Sequence, residues 1–311
     1  MMLGVRRLVA SSVVRGSQKG ESHGGVYLID LKAREVVQAI DWNTVDIDWQ
    51  GRGWDRGLRG IAIDGERVYM ASSDELHAYT PDFRRIGSWR SPYLRHCHEL
   101  AIHGRELFLT STGFDSILGF NLDTQAFDWA MHVQTHNYRF NLSRFDPLGA
   151  QGPLPLNKLH INNVFADDTG MYISGLNTGG MLQFSGKRVS MSVELPPGTH
   201  NARPFRDGVL FNDTEAGTLR YSGRDDREDR IMQVPTYAVE TLTFRDADTS
   251  GIARQGFARG LCVLSDTLVA GGSSPSTVTV YDLRANELLL SVNLTRDIRN
   301  AIHGLAVWPF D

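Results

Sequence analysis

The sequence predicts an all-β protein built as a single six-bladed β-propeller, and three observations predict it. A pattern opening on an arginine or a histidine recurs at residues 59, 98, 160, 200 and 259. Each copy reads as four short strands, which is the make-up of a propeller blade. Pieces of a sixth copy lie at the two ends of the chain. A length of 311 residues suits one large all-β domain.

The copies are legible residue by residue. Arg59-Gly-Ile-Ala-Ile-Asp-Gly-Glu-Arg-Val-Tyr-Met-Ala-Ser-Ser leads to Leu76-His-Ala-Tyr-Thr. His98-Glu-Leu-Ala-Ile-His-Gly-Arg-Glu-Leu-Phe-Leu-Thr-Ser-Thr leads to Ile117-Leu-Gly-Phe-Asn, and the copies opening on His160, His200 and Arg259 follow the same course. A short apolar strand precedes a turn of Asp and Gly. A second strand of β-branched and aromatic residues ends in small residues, an alternating third strand follows, and a polar edge strand closes the unit. No segment has the sustained 3.6-residue period of a helix.

The sixth copy is split. Leu8-Val-Ala-Ser-Ser and Gly25-Val-Tyr-Leu-Ile-Asp-Leu match Leu268-Val-Ala-Gly-Gly and Val278-Thr-Val-Tyr-Asp-Leu, but no first strand precedes them. The missing strand is His303-Gly-Leu-Ala-Val-Trp-Pro. Closing the ring with a C-terminal strand beside the N-terminal ones removes an exposed sheet edge. The blades are thus expected at 303–311 plus 5–40, 59–90, 98–132, 159–193, 200–234 and 259–294, in one domain over 1–311.

Composition narrows the function classes. Hydrophobic residues make up 41% and charged residues 22%, with a formal charge of −4, so no global attraction to nucleic acid or anionic membrane is expected. No apolar run reaches the length of a spanning helix, and the first sixteen residues lack the apolar centre of a secretory signal. Cys97 and Cys262 are too few for a disulfide framework. A cytoplasmic protein is expected.

Aligning the copies puts Arg59, His98, His160, His200, Arg259 and His303 at one equivalent position, the start of the innermost strand. Four of the ten histidines of the chain stand there, although a small apolar residue would serve packing better. Three long connections run into these positions, 41–58, 133–159 and 235–258, and long connections in compact domains are commonly functional. They carry Trp42, Trp49 and Trp54; His136, Asn137, Tyr138, Arg139, Phe140 and Asn141; and Tyr237 and Phe244, as a lid over a pocket would.

Other polar residues have weaker claims. His96 and Cys97 precede His98 and could stand behind it. Glu99 follows His98, and strand alternation would turn it away from the channel; there it could orient an imidazole or make a buried interstrand bond. Asn162, Asn163 and Asn201 follow their histidines and could line the channel. Asn212, Asp213 and Glu215 end a second strand, as substrate contacts or as simple turn chemistry. His103 is expected in a solvated turn on the opposite face, and His132 outside the register.

The stretch His160-Ile-Asn-Asn-Val-Phe-Ala-Asp-Asp-Thr-Gly-Met-Tyr-Ile-Ser-Gly resembles the blade pattern of the six-bladed propellers that include gluconolactonase, paraoxonase and strictosidine synthase. That resemblance implies the fold over most of the chain. Where the hydrolases of that group place Glu, Asn and Asp around calcium, this chain offers His and Arg, so their calcium chemistry is not carried over. The four-histidine inventory is similar to that of two other groups of propeller enzymes, carotenoid cleavage oxygenases with iron and oligogalacturonate lyases with manganese.

Three functions are expected to compete. The first is a metal enzyme of oxidoreductase or lyase type, with His98, His160, His200 and His303 holding a divalent transition metal (Fe, Mn, Cu or Zn) and Arg59 and Arg259 binding a small anionic substrate. The second is a metal-free enzyme in which the arginines bind a carboxylate or phosphate and a histidine is the general base. The third is a non-catalytic propeller that docks a protein partner.

Overall fold

The computed structural model describes residues 4–18, 20–43, 57–136, 139–186, 188–246 and 253–311. The chain is all-β with the six-bladed arrangement, its described strands forming six antiparallel sheets. It divides into two compact units, residues 1–59 with 205–311 and residues 60–204.

In the first unit, β1 (Arg7–Val14), β2 (Gly25–Asp30) and β3 (Glu35–Asp41) run side by side. The second unit then holds three complete sheets. The first is β4 (Ile61–Asp64), β5 (Arg67–Ala71), β6 (Glu75–Tyr79) and β7 (Arg85–Arg90). Next come β8 (Leu100–His103), β9 (Glu106–Ser111), β10 (Ser116–Asn121), β11 (Ala126–His136) and β12 (Arg139–Phe145), and then β13 (Ile161–Asp167), β14 (Gly170–Gly175), β15 (Gly180–Ser185) and β16 (Arg188–Glu194). The unit boundary falls within β17 (Thr199–Phe205), which opens the sheet of β18 (Gly208–Asp213), β19 (Thr218–Ser222) and β20 (Arg230–Gln233). The first unit continues with β21 (Arg259–Val263), β22 (Leu268–Ser273), β23 (Thr277–Asp282) and β24 (Glu287–Asn293). It ends on β25 (Asn300–Val307), which pairs antiparallel with β1 and completes the first sheet in the order β25-β1-β2-β3.

Burial follows the residue types. The runs Leu268–Ser273 and Thr277–Asp282 are buried along their whole length, because both faces of these middle strands are covered. Outer strands such as β3 and β16 carry polar residues and stay largely exposed. Within each unit, apolar clusters join neighbouring sheets. Leu107, Leu118 and Phe120 pack with Tyr69 and Leu76 in the second unit. Leu8, Ile29, Val278, Val280 and Ile302 pack together in the first. Each fully buried Leu, Ile or Val contributes roughly 1.5–3 kcal/mol of transfer free energy.

Two of the expected lid segments carry structure of their own. The segment after Val133 is not a loop throughout: β11 continues to His136, and β12 adds a fifth strand to its sheet. The alternation of Arg139-Phe-Asn-Leu-Ser explains it, since Phe140 and Leu142 are half-buried while Arg139, Asn141 and Ser143 are exposed. In 235–258, Leu242 and Ala253 pack with Ile298 and Tyr237, and the Tyr237 hydroxyl lies 2.9 Å from Thr277 Oγ1. Trp49, Trp54, Asn137 and Tyr138 lie outside the described residues.

Candidate active site

The six aligned residues divide equally: His98, His160 and His200 belong to the second unit, Arg59, Arg259 and His303 to the first. Arg59 and His200 are buried, as are His98, Arg259 and His303, and His160 is half-buried.

Strand pairing shows how the first strands place them. In β13, Ile161 pairs with Gly175 and Asn163 with Ser174, so Asn162 is an extra residue. In β21, Arg259 pairs with Gly272 and Leu261 with Gly271, which leaves Gly260 extra. In β25, Ile302 pairs with Ser12 and Leu305 with Ala10, so His303 and Gly304 face the single residue Ser11. Three of the sheets therefore bulge at or just beyond the aligned position, and a bulge re-aims the side chains around it. Gly260 takes a φ of +75° at its bulge, and Asn201 and His160 have φ of +54° and +52°.

In the second unit His98 and His200 are held by their Nδ1 atoms. His98 Nδ1 lies 2.7 Å from the His96 carbonyl and 2.8 Å from Thr112 Oγ1. His200 Nδ1 lies 3.0 Å from the Gly198 carbonyl. A carbonyl only accepts, so in both rings Nδ1 carries the proton, and in the neutral ring Nε2 is left as the basic nitrogen. The Thr112 hydroxyl donates to the Ile161 carbonyl at 2.5 Å and therefore accepts from His98. The rings of His98 and His160 stand edge to face with centroids 5.6 Å apart.

Glu99 makes a buried bond, one of the two roles expected for it. Its Oε2 accepts from Asn201 Nδ2 at 2.5 Å, a bond between residues that flank two aligned histidines. β8 begins only at Leu100, so His98 and Glu99 precede the regular strand. Burial pushes the Glu99 carboxyl up to about 7, against the lowering effects of the Leu100 N–H, Asn201 and Arg203. Asn162 donates to the Thr199 carbonyl at 3.2 Å and Asn163 to the Ala202 carbonyl at 2.6 Å. Both asparagines thus tie β13 to β17.

In the first unit, Arg259 Nη1 lies 3.1 Å from His303 Nε2 and 3.3 Å from its Nδ1, and the guanidinium sits 4.7 Å over the Phe257 ring. A permanent cation thus stands against both ring nitrogens of His303 and would oppose a second cation there. The Ser11 hydroxyl donates to the Arg59 carbonyl and accepts from the Gly304 N–H at 2.9 Å. Asn212 donates to the Gly260 carbonyl at 3.1 Å. Asp213 faces Arg220 at 3.0 Å, and Glu215 is exposed.

Among the described residues, no group of three or more His, Cys, Asp or Glu side chains is arranged to hold a metal ion. His96 contacts Ser73, His132 contacts the Phe114 carbonyl, and the exposed His103 faces Asp168 at 3.7 Å. Thr112 went unnoticed in the sequence. Its signal was the small hydroxyl residues that close the second strands, Ser11-Ser12, Ser72-Ser73 and Thr110-Ser111-Thr112.

These features define a β-propeller with polar, hydrogen-bonded residues at the starts of its inner strands. A chain of a nidogen/laminin complex matches with a TM-score of 0.60 at 10% identity, over 97% of this chain and 98% of that one. A protein of unknown function from Bacteroides caccae matches with a TM-score of 0.58 at 11% identity, again over 97% and 98%. Likeness at these identities shows the propeller fold. No protein-family model and no curated protein matches the chain.

Proposed function

We propose that the chain is an enzyme that transfers protons on a small anionic molecule, in a lyase-type elimination, with the histidine–carboxylate cluster of the second unit as its acid–base group. The observation that carries this is Glu99, placed directly after His98 and bonded to Asn201 beside His200. A basic imidazole nitrogen and a protonatable carboxyl then belong to adjoining residues. The imidazole Nε2 of His98 or His200 takes a carbon-bound proton next to the anionic group, and protonated Glu99 gives a proton to the leaving oxygen as the carbon–oxygen bond breaks. A carboxyl that titrates near 7 is poised for that role. Arg59 and Arg259 belong to the first unit and are proposed, apart from this cluster, to bind an anionic group.

The test is a panel of hydroxycarboxylates and uronates, followed by the absorbance of the conjugated product. Turnover is expected to survive chelation and to fall about 100-fold or more in His98→Ala, His200→Ala and Glu99→Gln. Nitrogen NMR of the imidazoles needs no substrate: both rings should show a protonated Nδ1 and a bare Nε2. A protonated Nε2 in the neutral rings would overturn the assignment of the base.

The Nδ1 bonds of His98 and His200 also suit metal ligation through Nε2, which supports a second reading with His98, His160 and His200 around Fe, Mn, Cu or Zn. Elemental analysis of protein purified without added metal separates the two. Stoichiometric metal that disappears in the three His→Ala variants would replace the acid–base reading by the metal one.

A further inference from the structure

A cleft of about 380 Å³ opens in the first unit at the far end of its strands from Arg259, lined by the turns that follow β17, β19, β21 and β23. Three arginines face it, Arg206, Arg230 and Arg284, against the carboxylates of Asp207 and Glu228. Three guanidiniums and two carboxylates leave one net positive charge.

How the arginines are held matters more than the count. Arg206 donates through Nε, at 2.9 Å, and Nη2 to the Asp266 carbonyl, and its guanidinium stacks 5.2 Å from the Phe205 ring and 5.6 Å from the Tyr221 ring. Arg230 donates to the carbonyls of Leu283, Arg227 and Asp229 at 3.0, 3.2 and 2.8 Å. Carbonyl acceptors fix a guanidinium in place without cancelling its charge, so two cations are fixed in position before any ligand arrives. Of the acids, Asp207 accepts the Tyr221 hydroxyl at 2.7 Å, which occupies one of its oxygens and holds its carboxyl below the usual range. Among the described hydrogen bonds Arg284 takes part through its backbone N–H, to Asp282, and its exposed side chain stands at the rim.

We propose that this cleft is a binding site for a phosphate monoester of a small molecule, its oxygens received by Arg206, Arg230 and Arg284. Phosphate geometry matches the planar forks, and its negative charge offsets the excess positive charge. The site is separate from the acid–base cluster, so its test stands apart from that reading.

The experiment is calorimetric titration of the full chain with inorganic phosphate and with phenyl phosphate in low-salt, phosphate-free buffer. One saturable site per chain is expected for both probes, weakened by added salt. Arg284→Ala should weaken it about tenfold and Arg284→Glu should abolish it, and neither touches a brace of the fold. Arg105→Ala, in the other unit, should leave it unchanged. Absence of saturable binding, or equal binding by both Arg284 variants and the unaltered chain, overturns the proposal. Binding of inorganic phosphate without phenyl phosphate overturns the ligand class.

Discussion

At the scale of single residues, Glu99 shows where reading by pattern stops. Its position after His98 and a buried bond as one of its roles were legible, but the identity of the partner was not. Its partner, Asn201, lies 102 positions away, a distance no local pattern spans. The consequence is measurable. Burial raises the carboxyl from its ordinary 4.5 to about 7, so the folded protein binds this proton more tightly than the unfolded chain. The stability from this group is full below pH 4.5 and is lost as pH rises through about 7. Glu99→Gln keeps an acceptor for Asn201 and cannot ionise. It should match the unaltered protein near pH 4.5 and exceed it near pH 8 by about 3 kcal/mol, read from urea unfolding at the two pH values. Equal stabilities at both would mean that Glu99 titrates normally.

At the scale of elements, the strands were legible and the bulges were not. The repeat put Arg59, His98, His160, His200, Arg259 and His303 in one column because residue types repeat. An extra residue such as Asn162 or Gly260 appears only when the pairing partners are known. The fifth strand, β12, was hidden for another reason. Its Phe140 and Leu142 are only half-buried, and aromatic residues in a long connection fit a lid as well as a strand. The β21 bulge gives a direct test of such devices. Gly260 has φ +75°, and a Cβ there would stand 3.1 Å from Ile302 Cγ2 and 3.2 Å from the His303 carbonyl. Gly260→Ala should therefore cost about 1–3 kcal/mol, more than the few tenths of an ordinary surface change. It should also disturb the Arg259–His303 contact, seen as a shift of the His303 ring resonances. An unchanged melting temperature with unmoved resonances would mean that the bulge relaxes freely.

At the scale of the whole molecule, the six-fold repeat made the fold readable before any coordinate, because each sheet repeats the same four-strand code. The site was less readable because it depends on where the copies differ. The fold's dependence on its last strand is the sharpest test. β25 pairs with β1 from Leu8 to Val14, the Trp308 N–H donates to the Arg7 carbonyl at 3.0 Å, and Gly304 is tied to Ser11. Ile302 and Leu305 sit in the cluster with Leu8, Ala10 and Ile29. Removing residues 303–311 deletes Leu305 and Trp308 from buried positions and bares the backbone groups of β1 along an apolar run. The lost burial alone amounts to about 3–6 kcal/mol for two large side chains, a large part of the margin of a typical domain. An open edge of that composition also invites pairing between chains. The shortened chain should therefore elute as aggregate, bind a hydrophobic dye and melt early or without cooperativity. A shortened chain that stays monomeric with an unshifted melting curve would show that β25 is dispensable to the first sheet.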